Sequence, residues 1–238
     1  MNEALSSPDK KYWEEAAQKE LTSLKEKNVY EIVNKPKNTN IIGCHWVFKI
    51  KQSIDGNIDK FKVRLVARGD TQIYGINYYN TSAPVMNLTT LHILLVIGIK
   101  NDYYLSNIDI NTAYLNAPLK EQIYMKLPPG FFYKERENNK VLLLKRSLYG
   151  LKQSAYEWYN TLKKALEKLK FKPLFHDKCV FIKKEPYIII LGIYVDDILI
   201  LSSKKECINQ FKKEIKLFFD FTDNSNFESI LGIKIFKK

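Results

Sequence analysis

The sequence predicts an α+β chain whose second half is organised as a split βαβ antiparallel sheet with helices on one face. Three observations predict it. Amphipathic helical stretches alternate with short runs of β-branched and aromatic residues. An Asp55-Gly56 turn joins two strand-like runs. From Tyr103 onward the elements follow the order strand, helix, hairpin, helix, strand.

Taken in order, Ser7-Pro8 reads as an N-cap with proline at the first helical position, and Trp13, Ala17, Leu21 and Leu24 then recur on one helical face. Val29 to Val33 reads as a short strand and Gly43 to Gln52 as a longer one, which turns at Asp55-Gly56 into a strand from Ile58 to Arg68. Leu88 to Lys100 is apolar and long enough for a buried helix, and Tyr103 to Ile110 is a strand ending at Asp109. Asn111 to Leu119 turns away from it, helically until Pro118. Ile123 to Leu127 and Val141 to Leu144 suggest strands separated by a Pro-Pro-Gly turn and a polar loop. Trp158, Leu162, Leu166 and Leu169 mark a helix from Ser154, and Ile208, Phe211, Ile215 and Phe218 the inward face of one from Lys205. Between them Cys179 to Ile182, Tyr187 to Tyr194 and Ile198 to Leu201 alternate strand with turn. Ile230 to Phe236 is the closing strand.

Composition narrows the function classes. With 238 residues, 45% of them hydrophobic, the chain can bury a core without disulfides. Its three cysteines form no CxxC pair and have only three histidines for company, which excludes a zinc site. A formal charge of +12 suits a polyanionic partner such as nucleic acid, though lysine-rich composition alone produces the same number. No secretory signal is expected from the first residues, and Tyr187 to Leu201 is too short and too interrupted by aspartate to span a bilayer. The expected location is intracellular.

The sharpest local feature is Tyr194-Val195-Asp196-Asp197, two adjacent carboxylates at a hairpin tip between apolar strands. They admit two readings: a solvated turn, or a pair whose repulsion and desolvation are offset by a bound cation. Asp109 ends another apolar strand, and the strand order brings it beside that tip. A carboxylate cluster without His or Cys fits Mg²⁺ better than Zn²⁺. Two such ions, about 3.5–4 Å apart, can assist both ends of a phosphoryl transfer.

The chain resembles the copia-type reverse transcriptase family of LTR retrotransposons across nearly its whole length. The matching segments come in the family's order: His45-Trp46-Val47-Phe48-Lys49; Lys62 to Gly69 with Gln72; Ala83-Pro84-Val85; Asp109-Ile110 with Ala113-Tyr114-Leu115-Asn116; Pro129-Gly130-Phe131; Leu148-Tyr149-Gly150-Leu151-Lys152-Gln153 with Trp158; Tyr194-Val195-Asp196-Asp197; and Leu231-Gly232-Ile233. It departs from the family at Ala155, Ser82 and Ala117, where proline, phenylalanine and glycine are usual; none of these is a proposed metal ligand.

The resemblance implies a polymerase of fingers (1–85 and 118–151) and palm (86–117 and 152–238), with thumb, connection and RNase H regions absent. It implies RNA-directed and DNA-directed DNA synthesis, in which a deoxynucleoside triphosphate (dNTP) is added to a primer 3′-hydroxyl with two Mg²⁺ ions, or Mn²⁺ in their place. Asp109, Asp196 and Asp197 match the catalytic acids, and the Ile110 carbonyl also faces a metal. Lys62, Arg64 and Arg68 are expected at the triphosphate, a role for which a bidentate guanidinium and a point-charged ammonium are suited. Ala113 and Tyr114 are expected at the dNTP, with Tyr114 as the gate against a ribose 2′-hydroxyl. Tyr149, Lys152 and Gln153 are expected at the nucleotide or template, and Tyr194, Leu231, Gly232 and Ile233 at the primer. Ordinary core packing is the competing reading for Tyr114, Tyr149, Lys152, Gln153 and the primer residues, and a solvated or template-facing surface that for Lys62, Arg64 and Arg68. The implied partners are a primed RNA or DNA template, dNTPs and other domains of a Pol polyprotein, and the implied location is a cytoplasmic retroelement particle with nuclear access. A truncated, non-catalytic nucleic-acid-binding remnant and a metal-dependent nuclease are the other functional readings.

Overall fold

The computed structural model of the chain describes residues 4, 6–52, 57–130, 139–224, 229–230 and 233–234. Two compact units emerge: Met1–Thr81 with Tyr114–Glu157, and Ser82–Ala113 with Trp158–Lys238. The sequence expectation puts the breaks after residues 85, 117 and 151; the units break after 81, 113 and 157, the last of these inside a helix.

In the first unit, helix α1 (Lys10–Glu26) buries Trp13, Ala17 and Leu24. It begins later than the Ser7-Pro8 signal suggests because the Ser7 hydroxyl donates to the Ala4 carbonyl and so does not cap the following turn. A four-stranded sheet is ordered β1 (Tyr30–Asn34), β7 (Lys140–Arg146), β6 (Pro118–Met125), β2 (Ile41–Ile42). β2 is its one parallel member among the described residues, pairing Ile41 with Tyr124. β3 (Cys44–Gln52) and β4 (Ile58–Ala67) form a separate antiparallel ribbon; the Asp55-Gly56 turn between them lies outside the described residues. Strand alternation gives the ribbon two unlike faces. Trp46, Phe48, Phe61, Val63 and Leu65 face the core, where Trp13 meets Phe48 and Phe61 edge-on at 5.4 and 4.6 Å.

In the second unit, helix α2 (Leu88–Lys100) is capped by Asn87, whose side chain accepts from the Thr89 N–H at 3.0 Å. The sheet is antiparallel throughout, in the order β12 (Phe221–Asn224), β5 (Tyr104–Ile110), β11 (Asp197–Ser202), β10 (Ile189–Tyr194), β9 (Val180–Lys183), β8 (Lys172–Pro173). Ile198, Leu199, Ile200 and Leu201 of β11 are wholly buried, which makes it the central strand. α2 approaches the sheet where Gly98 meets Leu105 and Leu201. Helix α3 (Ser154–Lys168) carries Trp158, Leu162 and Leu166 inward, and helix α4 (Lys205–Lys216) carries Ile208, Phe211 and Ile215.

Two expectations are corrected. The strand that closes the sheet is β12, and β13 (Ser229–Ile230) pairs with β14 (Ile233–Lys234) in a separate two-stranded ladder. Phe218 is 38% exposed while Phe219 is buried, because α4 ends at Lys216 and its periodicity stops applying there. After Asp109 the chain turns helically until Pro118, as expected, through a short 3₁₀ turn (Ala113–Asn116), and β6 begins at Pro118, so Leu119 is already in a strand. Among the described residues no helix is long and apolar enough to cross a membrane.

Candidate active site

In the second unit, β5 and β11 run antiparallel with Asp109 directly opposite Asp197. The Ile110 N–H donates to the Asp196 carbonyl at 2.8 Å, so residues 110 and 196 occupy a hydrogen-bonding site and the neighbouring 109/197 pair is the non-bonded kind. Such pairs hold their Cα atoms only about 4.5 Å apart, with side chains on one face. Two carboxylates are thus set side by side by the register itself. A strand residue's C=O points the same way as its N–H, so the Ile110 carbonyl faces the turn that carries Asp196.

This arrangement is costly for a chain alone. Burial, then Asp196, then Asp109 push the Asp197 carboxyl up from 3.8 to about 6. The donor set is all oxygen, half-buried and over-rich in negative charge, which is the chemistry a hard divalent cation relieves. Among the described residues no three His, Cys, Asp or Glu side chains are already gathered as a ready ligand sphere. Ala113 is buried, and Tyr194, the strand residue paired with Asp197, is 36% exposed.

The first unit carries a basic cluster. On the outer face of the ribbon, Lys49 stands opposite Lys62 and Lys51 opposite Lys60, with Arg64 next along β4. Like charges directly opposite one another destabilise a sheet. Burial and then Arg64, Lys51 and Lys60 lower the Lys62 pKa, against the pull of Glu20. The Arg64 guanidinium lies 4.9 Å over the Tyr149 ring, and Tyr149 meets Tyr114 edge-on at 5.2 Å. Arg64, Tyr149 and Tyr114 therefore form one contiguous cluster. Lys51 and Lys60 do not stand out in the sequence, and their alignment with Lys49 and Lys62 is visible only once the register is known.

Two of the expected nucleotide contacts have partners within the chain. Gln153 is 1% exposed, and its amide donates to the Asn77 carbonyl at 2.7 Å and accepts from Gln72 at 3.0 Å. Its side chain ties residues 72 and 77 together. Arg68 is exposed, with its guanidinium bound to Asp70. Lys152 places its ammonium 5.0 Å from the Tyr78 ring. Leu231 and Gly232 lie outside the described residues; Ile233 pairs with Ile230 in the backbone of the small ladder.

A family model described as reverse transcriptase (RNA-dependent DNA polymerase) matches residues 27–238. Over 240 residues the chain is 34% identical to the retrovirus-related Pol polyprotein from transposon TNT 1-94 of Nicotiana tabacum, covering 100% of this chain and 18% of that protein. It is 31% identical over 224 residues to the corresponding polyprotein from transposon RE1 of Arabidopsis thaliana, covering 93% of this chain and 15% of the relative. With the Transposon Ty1-ER2 Gag-Pol polyprotein of Saccharomyces cerevisiae the identity is 33% over 208 residues, 82% of this chain and 11% of the relative. The chain thus spans less than a fifth of each of these proteins. A solved foamy viral protease-reverse transcriptase, in complex with double-stranded DNA, is similar with a TM-score of 0.45 at 14% identity, over 89% of this chain and 30% of that one. On the family match across nearly its whole length, the chain belongs to the reverse transcriptase (RNA-dependent DNA polymerase) family, in its copia-type retrotransposon branch.

Proposed function

We propose that this chain is the catalytic core of a polymerase that extends a primer with deoxynucleotides on RNA and on DNA templates. The observation that carries the reading is the side-by-side pairing of Asp109 with Asp197 next to Asp196. Asp109, Asp196, Asp197 and the Ile110 carbonyl are the groups that would hold two Mg²⁺ ions, or Mn²⁺ in their place. Magnesium keeps several waters and takes substrate phosphate oxygens, so one or two protein carboxylates per ion suffice. When bound, the ions supply charge stabilisation at the attacking primer oxygen and at the departing pyrophosphate.

The remaining work is done by the chain's own groups. Arg64 is held with its guanidinium 4.9 Å over the Tyr149 ring, and a guanidinium can grip phosphate oxygens bidentately. Lys62 adds a point charge beside it. Tyr114, packed edge-on against Tyr149, is the candidate gate against a ribose 2′-hydroxyl. Tyr194, beside the acids and partly exposed, is the candidate support for the primer terminus. The primer 3′-hydroxyl gives up its proton to solvent as its oxygen forms a bond to the α-phosphorus, the bond from that phosphorus to the bridging oxygen breaks, and pyrophosphate leaves.

Primer extension on RNA and DNA templates, with Mg²⁺ and with chelator, tests the proposal. Wild type should extend only with the metal, and Asp109→Asn should abolish extension while leaving the fold intact. Binding without extension indicates a non-catalytic remnant, and shortened primer a nuclease. Either result removes the polymerase reading.

A further inference from the structure

Hairpin β10–β11 turns through only two residues, Val195 and Asp196, since Tyr194 and Asp197 are already paired. Val195 has φ 57°, the left-handed region that a β-branched residue rarely enters. A positive first central residue is the mark of a II′ hairpin turn, where glycine is usual. Strain of this kind persists only where the surroundings over-determine it. Here they do so through two consecutive carbonyls. The Trp158 indole N–H donates to the Val195 carbonyl at 2.7 Å, and the Ile110 N–H donates to that of Asp196 at 2.8 Å.

Trp158 is 2% exposed and meets Phe219 edge-on at 5.1 Å. Packing alone does not require tryptophan, because phenylalanine offers a similar edge. The feature particular to tryptophan is its single ring donor, which is aimed at the one strained residue of the turn. We infer that Trp158 is a positioning residue: its N–H holds Val195 in the left-handed conformation and thereby sets where Asp196 and Asp197 stand relative to Asp109. Its consequence for catalysis rests on the polymerase reading above; its consequence for the turn does not.

Trp158→Phe keeps the ring and removes the donor. Loss of one buried hydrogen bond to the turn should lower kcat for dNTP incorporation about tenfold, with KM for dNTP unchanged. In the same variant the Ile110 amide, which reports directly on Asp196, should exchange with solvent about tenfold faster while the β10 and β11 amides stay protected. Adding Val195→Gly should restore both, because glycine adopts positive φ without being held there. A purely space-filling tryptophan predicts no rescue by that second change. In the wild-type chain the Trp158 indole proton should be protected like the buried strand amides, a measurement that needs no variant to fold. A Trp158→Phe protein indistinguishable from wild type, a loss that Val195→Gly leaves unrepaired, or a freely exchanging indole proton overturns the inference. Should wild type extend no primer, the polymerase reading falls, and the Ile110 and indole exchange still decide the role of Trp158.

Discussion

Removing the charge of Asp197 should stabilise the metal-free chain. Its carboxyl is lifted from 3.8 to about 6, chiefly by burial and then by Asp196 and Asp109. The folded state therefore binds a proton more tightly than the unfolded state does, and this destabilising contribution grows as pH rises through the window between those two values. At about 1.4 kcal/mol per pH unit the full penalty above that window is roughly 3 kcal/mol. Asp197 is only half-buried, so solvent screening reduces this to about 1–1.5 kcal/mol. For a chain of this size that corresponds to a rise of about 2–5 °C in Tm for Asp197→Asn. Thermal melts of both proteins in chelator, at pH 8 and at pH 4.5, measure it: the gap should be fully open at the higher pH and only about a third as wide at the lower. Mg²⁺ added at pH 8 should raise the wild-type Tm more than that of the variant. An Asp197→Asn protein that melts below wild type at pH 8, or by the same margin at both pH values, would refute the electrostatic account.

Two further outcomes follow from the first unit. Arg64→Lys keeps the charge but loses the guanidinium over the Tyr149 ring and its bidentate fork, so steady-state kinetics should show a KM for dNTP raised about tenfold, with Arg64→Ala at least as severe. Replacing Lys49, Lys51 and Lys60 together by Gln should flatten the dependence of template-primer affinity on salt, the logarithmic slope falling by about 1 for each phosphate no longer neutralised. The same replacement should stabilise the unliganded chain by relieving the cross-strand repulsion, which a thermal melt without nucleic acid measures.

Much of the second unit is legible in the sequence because its signals are local. The Leu88–Lys100 helix has the bounds that its apolar run suggests, and the β10–β11 hairpin announces itself by aliphatic runs on either side of two aspartates. β12 gives no such signal: Phe221–Asn224 is mostly polar and exposed, and pairing with β5 alone makes it a strand. The two-residue strands β2 and β8 are likewise defined by their partners. Trp158 stands in the chain as one helix-face residue among several, and only the fold brings it to Val195. Gln153 follows a lysine and precedes a serine, a local context that looks exposed; its burial depends on Gln72 and Asn77, far away in sequence.

The same dependence on distant partners separates two glycines that look alike in isolation. Gly75 has φ 79° and Gly150 φ 89°, so alanine at either meets the left-handed penalty of about 1–2 kcal/mol. Around Gly75 an added methyl finds nothing within 4 Å; at Gly150 it would come within 2.1 Å of the Ala67 carbonyl and 2.6 Å of Val66 Cγ1. That crossing also carries the hydrogen bond from the Ala67 N–H to the Tyr149 carbonyl at 2.8 Å. Gly150→Ala must therefore displace backbone, at a further cost of about 1–3 kcal/mol, and it moves Tyr149, the ring on which Arg64 and Tyr114 both lean. Urea denaturation should find Gly150→Ala clearly less stable than Gly75→Ala, and the Gly150 variant should also share the raised KM for dNTP expected of Arg64→Lys. Equal destabilisation by the two substitutions would mean that conformational strain alone explains Gly150, and that the close passage of residues 66–69 beneath Tyr149 contributes nothing to holding the cluster.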